Sequence, residues 1–144
     1  MIEIRAPKNQ QEWDKYYQLR WEVLRMPWNQ PVGSEKDNSE DGAIHFIAID
    51  ETNEISGVCR LQKNSETEGQ IRFMAVSEKA QGKGIGKLLI TAAEKKAKEL
   101  GMNYIILQSR ENAVPFYQAC NYSILEKTFL LFDSIQHYLM TKKL

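Results

Sequence analysis

Residues 81–87 read Gln81-Gly82-Lys83-Gly84-Ile85-Gly86-Lys87, and the pattern of the chain changes across them. Before this stretch, Gln70 to Val76 follows the period of two expected of a strand. After it, Ile85, Leu88, Leu89, Ala92, Ala93 and Leu100 recur at helical spacing as far as Gly101, a left-handed C-cap. Three alternating glycines between a strand and a helix let the backbone turn tightly and bring its N–H groups close to a ligand. The helix N-terminus adds a dipole that favours phosphate. A Walker A loop is excluded, because it needs a glycine where Gln81 stands and Ser or Thr where Leu88 stands. A dinucleotide fingerprint fails as well, since its last small residue falls on Lys87 or Leu89. What remains is a phosphate cradle of another kind, or a flexible capping turn.

Working outward, Ile2 to Ile4 predicts a first strand stopped by Pro7, and Asn9 with Glu12 predicts a capping box. The helix it starts carries Trp13, Tyr16, Tyr17 and Leu24 on one face and ends near Arg25 or Met26. Pro27 to Gly42 is polar and irregular, long enough to be either mobile or shaped by function, and reads as a loop with a short helical turn. Ile44 to Asp50 and Ile55 to Leu61 predict an antiparallel hairpin. Beyond the long helix, Tyr104 to Leu107 predicts a buried strand and Ala113 to Cys120 a short helix with Asn121 as its left-handed stop. Phe129 to Phe132 and Ile135 to Met140 predict a closing pair of strands. This order implies an α/β or α+β mixed sheet covered by helices.

The 144 residues, 42% hydrophobic and 26% charged, suit one domain spanning 1–144. Such a chain buries roughly 70% of its unfolded surface, so disulfides are not required. Cys59 and Cys120 lack metal-ligand spacing, and free thiols in a reducing compartment are the simplest account. No metal is expected. With 19 basic and 19 acidic side chains the net charge is zero, which argues against a nucleic-acid partner. No stretch approaches the ~20 apolar residues of a membrane span and no leader pattern opens the chain, so the expectation is a soluble, cytoplasmic protein.

Gln81 to Gly86 resembles the Q/R-x-x-G-x-G/A pyrophosphate loop of the GNAT N-acetyltransferases, and it follows a strand of that family's kind, Ile71 to Val76. Asn112-Ala113-Val114-Pro115-Phe116-Tyr117-Gln118-Ala119-Cys120-Asn121-Tyr122 is similar to the family's A-x-x-F-Y-x-x-x-G-F segment. The two motifs and the helix between them span roughly residues 70 to 125. Asn121 stands where the family has glycine, and Arg110 stands where it frequently has Asn three residues before the motif alanine. Leu19 to Leu24 and Ile135 to Met140 also resemble the ElaA-type branch, with Gln136 in place of that branch's proline.

The resemblance implies a mostly antiparallel central sheet with one splayed parallel pair, flanked by helices. It implies acetyl-CoA as cosubstrate and direct transfer of acetyl to a primary amine of a small molecule or peptide. The alternative is a CoA-binding module without turnover, and a homodimer is left open. The residues implied at the cofactor are Met74, Ala75 and Val76 through their backbone, then Gln81, Gly82, Lys83, Gly84, Ile85, Gly86, Lys87, Asn112 and Phe116. Backbone N–H groups of the strand would polarise the thioester carbonyl. Tyr117 takes the position of the family tyrosine that protonates the departing thiolate, which a phenol with reference pKa ~10 can do. The base that deprotonates the amine is not identified. His45, Glu22, His137 or a water reached through one of them are the candidates. Arg72 and Trp28 are candidates for the acceptor pocket.

Overall fold

The computed structural model describes residues 1–144. Seven strands form one sheet in the order β1-β2-β3-β4-β5-β7-β6. They are β1 (Glu3–Arg5), β2 (Ile44–Ile49), β3 (Ile55–Lys63), β4 (Glu68–Val76), β5 (Tyr104–Arg110), β6 (Ser123–Leu131) and β7 (Ile135–Lys143). Every neighbouring pair is antiparallel except β4 and β5. Helices α1 (Gln10–Leu24), α2 (Ile85–Glu99) and α3 (Val114–Ala119) complete the fold. No helix is long and apolar enough to cross a membrane.

The helices lie on both faces, and strand alternation sorts the core accordingly. Phe46 and Ala48 of β2 join Ile85, Leu89, Ile90, Ala93 and Ala97 of α2 in one cluster. The intervening Ile47 and Ile49 join Tyr16, Leu19 and Leu24 of α1 in the other. Leu88 and Leu100, expected on the buried face of α2, are exposed. Leu88 falls off the stripe that Ile85, Leu89, Ile90, Ala93 and Ala97 form, and Leu100 is the C-cap, past the last helical residue. β5 is not buried throughout: its residues alternate, and one side opens onto a cavity. β1 starts one residue later than the sequence suggests, and β6 begins at Ser123 rather than Phe129. As the sheet's edge, β6 leaves most of its side chains in solvent, so hydrophobic patterning does not mark its first half.

Asn9 caps α1, its Oδ1 accepting from the Glu12 amide at 2.9 Å. The reciprocal half of the expected capping box is absent. The Glu12 carboxylate instead accepts from the Lys8 amide and from both terminal nitrogens of Arg5, which holds it at a pKa of about 2.

The irregular segment after α1 begins with a 3₁₀ turn, Met26–Trp28, and is tied down by charge rather than by an apolar face. Arg20 and Arg60 are fully buried. Arg20 pairs with Glu40 at 2.9 Å, and Arg60 with Glu40 at 2.8 Å and Asp37 at 2.6 Å. Both guanidiniums also pack on the ring of Phe73, at 4.3 and 4.9 Å from its centroid. Removing one partner of a buried pair leaves an uncompensated charge in low dielectric. Glu40→Ala, which takes the only carboxylate from Arg20 and leaves Arg60 with Asp37 alone, is expected to lower unfolding free energy by about 3–5 kcal/mol in urea denaturation. A loss under about 1 kcal/mol would mean that the pairs behave as solvated surface contacts.

Candidate active site

β4 and β5 pair in register from Glu68↔Tyr104 to Ile71↔Leu107 and then part. On the other side of β4, the register with β3 shifts between Val58 and Arg60, so β4 carries one extra residue there. Phe73 sits in that bulge with φ of 54°, in the left-handed region. The diverging strands open a cavity of about 890 Å³ between them. Val76, Met74 and Phe73 form one wall, Gln108, Ser109 and Arg110 the other. It reaches the glycine loop and α3 on the α2 side and the C-terminal end of α1 on the opposite side.

On the α2 side, Gly82 and Gly84 adopt φ of 79° and 82°. A Cβ on either would meet no atom within 4 Å, so the concave surface of the loop is open. Gly84 is the N-cap of α2, which leaves the amides of the first turn without intrahelical partners beside the cavity. Ile85 is buried and anchors this turn, Gln81 donates to the Val76 carbonyl at 3.3 Å, and Lys87 lines the cavity, whereas the Lys83 side chain lies outside it. Gly86 serves packing: a Cβ there would stand 2.9 Å from Cζ of Phe116. Asn112, Phe116 and Tyr117 line the cavity from the segment around α3. Met74 and Val76 line it too, while Ala75 turns its methyl into the α1-side cluster, leaving only its backbone for such a role. Burial pushes the Tyr117 phenol above its ordinary pKa, and the nearby Arg110 charge only partly opposes this.

The two histidines have different fates. His45 is outside the cavity, a correction to its candidacy as base. Its Nε2 lies 2.7 Å from the Glu40 carbonyl oxygen and therefore donates. Its Nδ1 lies 2.7 Å from the Tyr16 hydroxyl and therefore accepts, so neither nitrogen is left for chemistry. His137 does line the cavity. Its Nδ1 is 3.0 Å from the Ile135 carbonyl oxygen, which can only accept, so the proton sits on Nδ1 and the Nε2 lone pair has no protein partner. The ring stacks on Phe129 at 4.3 Å, and burial lowers its pKa below the ordinary 6.5.

Glu22 also falls outside the cavity, accepting from Gln18 one turn back on the exposed side of α1. Trp28 stays outside as well, under the Arg110 guanidinium at 4.5 Å. Arg72 lines the cavity and reaches Asp37 at 3.3 Å. The sequence reading missed Arg25, Arg110, Phe73, Ser109 and Phe129 as cavity residues. They come from four separate elements, and no spacing in the chain connects them.

The family described as Acetyltransferase (GNAT) family matches residues 13–122. An N-acetyltransferase of Bacillus subtilis, YjcF, is 27% identical over 136 residues, covering 94% of this chain and 95% of the relative. ElaA of Escherichia coli superposes with a TM-score of 0.83 at 18% identity, covering 99% of both chains. An aminoglycoside 6'-N-acetyltransferase complexed with coenzyme A superposes with a TM-score of 0.82 at 16% identity, covering 99% of this chain and 96% of that one.

The contact between Gly86 and Phe116 is testable by itself. Gly86→Ala drives a methyl into the Phe116 ring and is expected to cost about 1–3 kcal/mol of stability. Adding Phe116→Leu, which withdraws the ring edge, should recover part of that loss in thermal or urea unfolding. No recovery would locate the strain elsewhere.

Proposed function

The chain belongs to the GNAT acetyltransferase family, and from that premise we propose that it carries acetyl from acetyl-CoA directly to a primary amine of a small molecule or peptide. The observation that carries this reading is the cavity between β4 and β5, which joins an open glycine loop on one face of the sheet to Tyr117 and His137. The loop fits the cofactor: Gly82 and Gly84 keep clear the space that a Cβ would fill, and the first-turn amides of α2 meet a pyrophosphate at the positive end of the helix dipole. One solved structure of this fold holds coenzyme A, which supports the same occupant.

Bound acetyl-CoA supplies an acetyl group activated as a thioester. In the transfer, the amine nitrogen bonds to the acetyl carbon and the carbon–sulfur bond breaks. His137 Nε2, unprotonated because Nδ1 holds the ring proton, takes the proton the amine loses. Tyr117, kept protonated by burial, holds at its hydroxyl the proton that a departing thiolate needs. The β4 backbone from Met74 to Val76, beyond the last pair with β5, is the source of donors for developing charge on the carbonyl oxygen. Cys120 lies outside this cavity and its thiol is pushed up by burial, which supports direct transfer over an acyl-cysteine. We also read the chain as one domain, since both apolar clusters share a single sheet. Buried free thiols at Cys59 and Cys120 support a cytoplasmic setting.

The cofactor assignment is tested by Gly84→Val, which puts a branched side chain on the open face of the loop. Coenzyme A affinity by calorimetry should fall while circular dichroism stays near wild type. Unchanged affinity in the folded variant would sink the assignment.

The chemistry is tested by pH profiles of acetylation. A neutral His137 is required, so kcat/KM should fall as pH drops, with a midpoint below 6.5 because burial lowers that pKa. His137→Gln should lower the rate roughly 10²-fold and abolish this acid limb. Tyr117→Phe should lower kcat by roughly 10²-fold with little change in the KM for acetyl-CoA. Retention of the acid limb in His137→Gln would assign the base to another group. A folded wild-type protein that binds coenzyme A yet acetylates no amine would be a binding module.

A further inference from the structure

We propose that the amine acceptor also carries a carboxylate, held by the guanidiniums of Arg25 and Arg110 on the α1 side of the cavity; this deepens the transferase reading and rests on it.

Every charged side chain lining the cavity is cationic: Arg25, Arg72, Lys87 and Arg110. Lys87 belongs to the first turn of α2, beside the glycine loop, and answers to the phosphate end. Arg72 already has a carboxylate, Asp37. Arg25 and Arg110 make no ion pair within 4 Å, although each is half-buried. Arg25 donates from Nε to the Ser34 carbonyl at 3.0 Å and from Nη1 to the Leu24 carbonyl at 3.0 Å. Arg110 donates from Nη2 to that same Leu24 oxygen at 3.0 Å. Two guanidiniums therefore converge on one atom, the Leu24 carbonyl oxygen at the C-terminal end of α1.

Two like charges so close repel, and the partial negative charge of a helix end offsets only part of that cost. The repulsion registers on Arg110, whose pKa drops to about 10, with burial the main cause and Arg25 next. The nearby Glu35 carboxylate is engaged with the Gly33 amide, at 2.8 Å. Asp37 and Glu40 are committed to Arg20 and Arg60. The protein thus holds a cationic pair with spare donors and no carboxylate within ion-pair distance, Glu35 acting on Arg25 only from farther away. Planar guanidinium forks suit a carboxylate, which can accept from two donors at once.

The position of the pair excludes the other anion available. The pyrophosphate cradle opens on the α2 side, whereas Leu24 and the two guanidiniums lie on the α1 side, across the sheet. Arg25 and Arg110 both act electrostatically on His137, which places them beside the proposed base. Trp28, stacked under Arg110 at 4.5 Å, holds that guanidinium in place. A carboxylate bound here puts an amine a few bonds away within reach of His137, which is the build of an amino acid. A polycationic amine meets only like charge.

The test pairs amino acids with their carboxamides as acceptors, with spermidine as a cationic control, at fixed acetyl-CoA. The acids should exceed their amides in kcat/KM by roughly 10- to 100-fold, the usual loss when a charged hydrogen-bond partner is removed. Spermidine should rank below both. Arg110→Gln and Arg25→Gln should bring acid and amide together, and Arg110→Lys should keep part of the preference. Equal use of acid and amide by wild type, or a preference for spermidine, would overturn the proposal. Calorimetry of the same pairs with coenzyme A present separates the two readings. Selective binding of the acid without turnover would sink the transferase reading alone; turnover without selectivity would sink only the carboxylate.

Discussion

β4 and β5 run side by side only as far as Ile71 and Leu107, and the architecture of the site depends on that parting. A parallel pair buried in a sheet ordinarily continues to the strand ends, because each backbone amide and carbonyl needs a partner. Here the extra residue at Phe73 and the divergence of β5 leave a segment of β4 free on one edge. The sheet remains continuous through the four registered pairs below the opening, so the gap has rigid walls. The glycine loop, α3 and the end of α1 all border this gap, which turns separate pieces of chain into one cavity.

The opening needs support on the α1 side, where the chain is least regular. Arg20 and Arg60, buried under the loop, draw Glu40 and Asp37 inward and clamp the Phe73 ring that marks the bulge. Such a network adds little net stability compared with a well-packed apolar core, since both partners lose water. It specifies one loop conformation, because any other strands a buried guanidinium. Each of these two guanidiniums keeps its Nε without a partner, a sign that packing against Phe73 decided their orientation.

The two histidines differ in how their surroundings occupy the ring nitrogens. His45 sits inside the charged network, with Tyr16 on one nitrogen and the Glu40 carbonyl on the other. His137, across the cavity on β7, has one nitrogen held by its own strand and the other without a protein partner. Burial lowers the pKa of both, so the neutral ring prevails at neutral pH in each. Position at the cavity and the hydrogen-bond inventory together separate a satisfied core histidine from one with a free nitrogen.

Sequence by itself determined the elements whose cause is local. Alternating glycines before a helical period mark the loop and α2. Asn9 marks the start of α1, and Asn121, with φ of 72°, the stop after α3. The two GNAT motifs lie within single segments, so the family was legible in the chain, and so were residues that line the α2 side of the cavity. The bulge at Phe73, the burial of Arg20 and Arg60, and the exposed start of β6 depend on neighbours far away in sequence. Only tertiary structure therefore decided them. The same holds for the α1 side of the cavity. Arg25, Arg110 and His137 come from the end of α1, from β5 and from β7, and they carry no shared spacing. His45 and His137 were equivalent candidates until the fold assigned their partners, because a ring nitrogen's availability depends on which long-range atoms face it.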